Sequence, residues 1–386
     1  MTSTAERYRA YAGAPLFGMG FRPFFLFGAT FAALALPLWI VGFHGWIPGV
    51  TRDWHVHEML FGYLGAVIAG FLLTAVPNWT GRLPVAGAPL ALLFSLWAAG
   101  RVAMLFASQS PLAAMIDSAF LFALGLIIAR EIVAGRNMRN LPVCGLVFAL
   151  ATANALTHFQ PAALLGERIG LAAVAMMVAV IGGRITPSFT RNWMAKRRMT
   201  PEPAAPGRFD LAALLVTAAG LLAWVTAPEW AGAGASLALA GIFNLARLAR
   251  WKGWRTAAEP LVTILHLGYA WLAVALGLLG VSVLAPELVS RMAGVHALTA
   301  GAFGVMTLAV MTRATRGHTG RGLSADGATL AIYALVNAGA VMRVASPFLP
   351  EYSIVLVVAA ATLWSAAFAA FALVYGPYLL QARAGR

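Results

Sequence analysis

The chain has 386 residues, of which 61% are hydrophobic and only 10% are charged, and its mean hydropathy is +0.81. A soluble domain carries roughly 25% charged residues, so this composition excludes a soluble globular protein and indicates an integral membrane protein. Because Cys144 is the single cysteine, an intrachain disulfide, a cysteine-based zinc site and an iron–sulfur cluster within one chain are also excluded.

Apolar stretches long enough to cross a bilayer, about 20 residues each, recur along the whole chain. They predict helices at 19–42, 55–77, 86–107, 111–134, 141–159, 165–187, 209–227, 232–249, 260–284, 288–312, 327–346 and 352–380. The predicted fold is therefore all-α, a polytopic membrane protein of twelve transmembrane helices in a single membrane domain over 1–386. A polar cytoplasmic connection at 192–208 separates helices 1–6 (19–187) from helices 7–12 (209–380).

The basic residues predict how these helices are oriented. With both termini on the inside, all but five of the 27 Lys and Arg residues fall on the inward-facing side, Arg7, Arg9 and Arg386 among them. The exceptions are Arg52, Arg101, Arg168, Arg291 and Arg343. Because basic residues mark the cytoplasmic side, both termini are predicted to be cytoplasmic. The net charge of +14 therefore reflects membrane topology, and no nucleic-acid partner is expected.

Ionisable side chains inside a bilayer are costly and are functional candidates by default, which directs attention to the histidines. His55 and His57 lie at the outer end of the second predicted helix. Each helical residue turns by about 100°, so the two imidazoles point away from each other and can face two different centres. The alternative is a polar cap on the start of the helix, with Glu58 at the positive end of its dipole.

His266 and His296 lie inside the ninth and tenth predicted helices. Either can hydrogen-bond a neighbouring helix, and either can bind haem iron as a neutral imidazole. Small residues accompany His296 on its helix: Ala297, Ala300, Gly301 and Gly304. They permit either close helix packing or room for a flat macrocycle, and we favour the macrocycle.

His318 lies in a basic segment, which is either an ordinary loop or a site for anions such as haem propionates bound by Arg313, Arg316 or Arg321. Arg22, Arg184 and Arg191 lie toward the cytoplasm, where they either set topology or pair with propionates. By depth, an outer group contains His55, His57, His158 and His296, and an inner group contains His266 and His318. The sequence permits two centres, which we favour, or one centre spanned by a tilted pair.

Several segments resemble the NnrS family of haem- and copper-containing inner-membrane proteins linked to nitric oxide and nitrosative stress. They are GFRPFF (20–25), WHVHEMLFGY (54–63), AGFLLTAVPNWTG (69–81), GGRITPSFTRNW (182–193), LHLGYAW (265–271) and HALTAGAFGVMTLAVMTRATRGHTGR (296–321). The resemblance implies a multi-pass protein of the bacterial inner membrane. It implies haem b, in one or two copies, with copper as a further candidate.

The same resemblance implies which residues form the site. His55, His57, His266, His296 and His318 are family positions for cofactor binding, and the first four are the predicted metal ligands. Arg22, Arg184, Arg191 and Arg313 are the predicted supports of the cofactor.

Two functions follow as expectations. The first is haem-dependent reduction of nitric oxide to nitrous oxide, an oxidoreductase reaction. Quinol or a periplasmic donor would supply the electrons, and polar groups would supply the protons, with Glu58 as the catalytic candidate. The second is a non-catalytic haem or copper protein that binds nitric oxide or protects metal pools. Plain transport, a third possibility, predicts a colourless protein.

Overall fold

The computed structural model of the protein describes residues 13–384, so the basic residues Arg7, Arg9 and Arg386 lie outside the described part. Twelve helices within it are long and apolar enough to cross a membrane. They are α1 Phe21–Phe43, α2 Arg52–Thr80, α3 Ala88–Phe106, α4 Pro111–Ala134, α5 Met138–Thr157, α6 Ala163–Lys196, α7 Arg208–Thr226, α8 Ala231–Arg255, α9 Pro260–Leu284, α10 Arg291–His318, α11 Gly327–Phe348 and α12 Pro350–Leu380. No strand occurs in residues 13–384. The predicted all-α multi-pass membrane fold is confirmed.

Helices α6 and α10 are among those that extend beyond their predicted ends. The 34-residue helix α6 continues through Pro187 to Lys196, and the 28-residue helix α10 continues to His318. A helix does not need to stop where the hydrocarbon ends, because its backbone hydrogen bonds are internal. The polar connection is consequently shorter than the predicted 192–208. His318 lies on the last turn of α10, so the alternative of an ordinary loop at this position is wrong, and its role in cofactor binding stays a prediction.

Three of the helices contain a π-helical turn, at Glu58–Tyr63 in α2, Val178–Gly182 in α6 and Ala297–Phe303 in α10. Such turns are rare in proteins overall, and those that occur are frequently found at functional sites. The first begins directly after His57 and the third directly after His296. Two predicted ligands therefore stand at the points where regular α-helical geometry is interrupted.

The chain forms two compact units, each with its own core. The first unit comprises the chain up to Ala173, Met311–Gly322 and the segment from Phe368 onward. Its core includes the fully buried rings of Phe21, Phe24 and Phe25 on α1.

The second unit comprises Val174–Val310 and Leu323–Ala367. Its core is organised around α9, whose Leu265, Tyr269 and Leu276 are fully buried. In both units the helices also carry exposed leucines, for example Leu92 and Leu222, on faces that lipid can solvate.

Candidate functional site

Ionisable side chains are buried together in the first unit. Glu58 and Asp117 are fully buried, and Arg101 is 7% exposed. Arg101 on α3 donates to Glu58 Oε1 on α2 at 2.6 Å and forms an ion pair with Asp117 on α4. A single guanidinium thus bridges two carboxylates on different helices.

His57 is buried beside this ion pair. Its Nδ1 lies 3.0 Å from Glu58 Oε1, and its Nε2 lies 3.1 Å from Asp117 Oδ2 and 3.0 Å from Asn154 Oδ1. Every oxygen around the ring can accept a hydrogen bond. The imidazole is therefore held in one orientation by groups on three helices.

His158, directly after α5, completes the group. Its Nε2 lies 3.1 Å from the same Asp117 Oδ2, and its ring centroid lies 5.1 Å from that of His57. We call the set the charged cluster: His57, Glu58, Arg101, Asp117, Asn154 and His158. Within it, one ligand atom each from His57, Asp117 and His158 lie within 4.8 Å of one another, a donor set that can hold a metal ion.

His55 lies on another side of α2. Its ring is half-buried and stacks on the indole of Trp39 on α1, with ring centroids 4.2 Å apart and an interplanar angle of 25°. The two histidines of α2 have different neighbours, as the helical turn of about 100° per residue predicts. They do not form one site.

His266 is buried in the second unit. Its Nε2 lies 2.8 Å from Thr190 Oγ1, and that hydroxyl donates its one hydrogen to the Thr186 carbonyl. Since a hydroxyl has a single hydrogen to donate, His266 Nε2 carries the hydrogen and Nδ1 carries the lone pair. Nδ1 is buried and has no hydrogen-bond partner among the described residues. A Cβ on Gly253 would collide with this nitrogen, so the lone pair faces a turn of the backbone.

His296 is half-buried near the start of α10. Its Nδ1 lies 2.9 Å from the Met292 carbonyl. Since a carbonyl can only accept, Nδ1 donates and Nε2 of the neutral ring carries the lone pair. Haem and metal ligands are commonly oriented by such a bond.

The space beside the small residues of α10 is filled by tryptophans. A Cβ on Gly301 would lie 2.6 Å from the Trp271 ring, and one on Gly304 would lie 2.6 Å from Trp364 Nε1. Trp271 donates from its indole to Asn337, and Trp364 donates to the Ala300 carbonyl. At Gly301 and Gly304 the expected room for a macrocycle is wrong, because these two glycines accommodate indoles.

Arg22, predicted to support a cofactor, is buried at the start of α1. Its Nη1 donates to the carbonyls of Leu379 at 2.8 Å and Gln381 at 2.6 Å. Leu379 lies in the last turn of α12, whose carbonyls lack partners within the helix, and Gln381 directly follows the helix. His318 packs nearby on the ring of Phe21, with centroids 5.5 Å apart.

The other three predicted arginines differ in their surroundings. Arg184 is exposed, Arg191 lies 3.9 Å from Glu202, and Arg313 is half-buried. Their role in holding a cofactor stays a prediction.

A second buried polar group, in the second unit, was not predicted. Arg247 donates to Asp210 Oδ1 at 2.8 Å, to Tyr269 Oη at 2.7 Å and to the Ala179 carbonyl at 2.9 Å. Tyr269 in turn donates to Asn244 Oδ1 at 2.6 Å. Ala179 lies in the π-helical turn of α6, so Arg247 binds that turn to α7 and α9.

Arg101 and Asp117 were not among the predicted site residues either, although a signal for them exists. Each is a charged residue inside a predicted apolar span, where a lone charge is rare and functional by default. Asp117 contacts His57 directly, and Arg101 binds the two carboxylates that flank its ring.

A family model described as NnrS protein matches residues 15–383, nearly the whole chain. No curated protein matches the chain.

Proposed function

The chain belongs to the NnrS family, which indicates a role in the response to nitric oxide, and from this premise we propose that it detoxifies nitric oxide at the bacterial inner membrane. In this proposal haem b is held by buried histidines, and nitric oxide is reduced to nitrous oxide. The observation that carries the haem assignment is the fixed orientation of His296.

The donor chemistry of the second unit fits haem. His296 presents Nε2 as its lone-pair nitrogen because Nδ1 donates to the Met292 carbonyl, and a neutral imidazole of this kind is a common axial ligand. His266 offers Nδ1 in the same way through Thr190, but Gly253 lies against that nitrogen. We therefore assign His296 as the first ligand and His266 as the second candidate.

When bound, haem supplies ferrous iron, to which nitric oxide binds. Joining two nitric oxide molecules into one nitrous oxide consumes two electrons and two protons and releases one water. The electrons would come from quinol or a periplasmic donor. Glu58 remains the proposed proton-handling residue; Arg101 and His57 hold its Oε1 in the charged cluster.

The proposal predicts the spectrum and the activity of the purified full-length protein. We expect a Soret band in the reduced-minus-oxidised spectrum that is lost in His296→Ala, and nitric oxide consumption at an electrode when reductant is supplied. His44→Ala is the matched control, because His44 is exposed at the end of α1 and should leave the spectrum unchanged.

Two results would contradict the proposed haem-dependent reduction of nitric oxide. A colourless wild-type protein after expression with added haem precursor would overturn the haem assignment. A haem-loaded protein that consumes no more gas than the haem-free control would overturn catalysis.

A non-catalytic role is the second candidate. The ligand set of His57, Asp117 and His158 can hold a metal without haem, which favours a protein that binds nitric oxide or protects metal pools, with copper as a candidate metal. Stoichiometric gas binding in the spectrum without turnover is the result that would favour this function.

A further inference from the structure

We propose that His57, Asp117 and His158 form a mononuclear site for a first-row divalent transition-metal ion, independent of haem. These residues come from α2, α4 and the end of α5, and their ligand atoms converge inside the first unit. The site lies wholly within the charged cluster. Its existence does not depend on whether the protein reduces nitric oxide.

Two of the three distances between ligand atoms are close to what a metal ion requires, and all three atoms lie within 4.8 Å of one another. His57 Nε2 and His158 Nε2 each lie 3.1 Å from Asp117 Oδ2. Metal bonds of about 2.0–2.2 Å at tetrahedral angles place neighbouring ligand atoms roughly 3.3 Å apart. A small outward movement of the side chains would admit the ion.

In two of the ligands, the polar atom that would not bind the metal already contacts another residue. Glu58 Oε1 lies 3.0 Å from His57 Nδ1 and can accept its hydrogen. A metal ion at Nε2 would then replace the hydrogen that this nitrogen shares with Asp117 Oδ2 and Asn154 Oδ1. Arg101 binds the other carboxylate oxygen of Asp117, Oδ1. Metal-binding histidines almost always donate their second nitrogen to a carboxylate, carbonyl or water in this way.

The charge balance also favours a cation. Two buried carboxylates, Glu58 and Asp117, share one guanidinium, that of Arg101. Glu58 Oε2 is buried and has no hydrogen-bond partner among the described residues. Buried charges are normally paired or coordinate metals. With both imidazoles neutral, these three side chains carry a net charge of −1, which attracts a cation. A second proton on His57 would bring the net charge to zero, and a divalent ion would bring it to +1.

The donor set selects the class of ion. Two imidazoles and one carboxylate suit Fe²⁺, Cu²⁺ or Zn²⁺ better than Mg²⁺ or Ca²⁺, which prefer oxygen ligands alone. Three protein ligands leave at least one coordination position for water or a small ligand. The site is thus able to bind a small molecule at the metal.

The experiment uses the full-length protein in detergent with its affinity tag removed, since a histidine tag would bind the probe. The protein is stripped with a chelator, loaded with Co²⁺ and desalted, and its metal content and visible absorption are measured. We expect about one Co²⁺ per chain with the absorption of nitrogen- and oxygen-ligated cobalt. His158→Ala and Asp117→Asn should each lower retained Co²⁺ at least tenfold.

Two further variants separate this site from the other histidines. His296→Ala should retain Co²⁺, whereas Glu58→Gln should weaken its binding by about 10–100-fold, the usual effect of losing an outer carboxylate. Monodispersity on size exclusion checks that each variant is folded.

Wild-type protein that retains no Co²⁺ above a mock-loaded sample would overturn the site and leave a proton on His57 as the compensating charge. Equal Co²⁺ retention by wild type and a folded His158→Ala variant would also overturn it. Haem content and nitric oxide consumption are read separately, so a failure of one proposal does not count against the other.

Discussion

At the scale of single residues, the hydrogen bonds of His266 and His296 decide which ring nitrogen carries the lone pair that can bind a metal. His57 has acceptors at both nitrogens, His266 donates to Thr190, and His296 donates to a backbone carbonyl. The sequence places these residues in apolar helices but does not reveal their partners. Thr190 and Thr186 on the same helix allow a comparison: the Thr190 hydroxyl contacts His266, whereas the Thr186 hydroxyl has no hydrogen-bond partner among the described residues.

The bond between His266 and Thr190 can be tested with a matched pair of variants. Thr190→Val removes the acceptor and leaves a buried N–H without a partner, which should cost about 1–3 kcal/mol of stability. Thr186→Val makes the same change one turn earlier on α6, where the hydroxyl is buried and has no hydrogen-bond partner among the described residues. It should be neutral or stabilising. Unfolding midpoints in a denaturing-detergent titration give the comparison, and equal midpoints would show that the bond contributes nothing.

At the scale of helices, α8 and α9 approach closely through glycines. A Cβ on Gly280 of α9 would lie 2.5 Å from the Ala238 backbone nitrogen, and one on Gly241 of α8 would lie 2.8 Å from the Ala273 carbonyl. Membrane helices associate mainly through such close contact, because lipid is as apolar as their side chains. The small residues of α8 are thus explained by backbone contact with α9.

We therefore predict that Gly280→Ala forces the two backbones apart and destabilises the protein by about 1–3 kcal/mol, as overpacking does. Gly277 lies on the same helix, and a Cβ there meets no atom within 4 Å. Gly277→Ala should then be neutral or stabilising by about 0.5–1 kcal/mol, since glycine is a poor helix former. The thermal stability of both variants can be measured by size-exclusion chromatography after heating. A Gly280→Ala protein as stable as Gly277→Ala would refute the close contact.

At the scale of the whole molecule, the distribution of basic residues predicts an orientation that can be measured. The loop between α9 and α10 should face away from the cytoplasm, and the connection after α6 should face into it. Exposed positions are available in both, at Glu287 and Ala205. The native Cys144 can be replaced by alanine to remove background labelling.

In intact cells, a membrane-impermeant maleimide should label Glu287→Cys and spare Ala205→Cys, with both labelled after lysis. A gel-shift assay reads the result. The reverse pattern would mean that the termini are not cytoplasmic. Labelling of both positions before lysis would mean that the helix count between them is wrong.

The sequence by itself determined the twelve helices and the predicted orientation, because crossing a bilayer demands a fixed length of apolar chain and basic residues resist translocation. It also determined that His55 and His57 face different sides of α2, since helical turn is a local property. It did not reveal that helices α6 and α10 continue past the apolar stretch, because helical hydrogen bonding does not depend on hydropathy.

Only the tertiary structure decided which residues meet. Arg101, Asp117 and His158 are far apart in sequence, and nothing local indicates that they converge on His57. Gly301 and Gly304 are a second example. Their small size is compatible with a neighbouring macrocycle, but in the structure it makes room for two tryptophan side chains. Side chains that meet across helices depend on the rotation and depth of every helix in the unit, and these are set by packing that no single segment encodes.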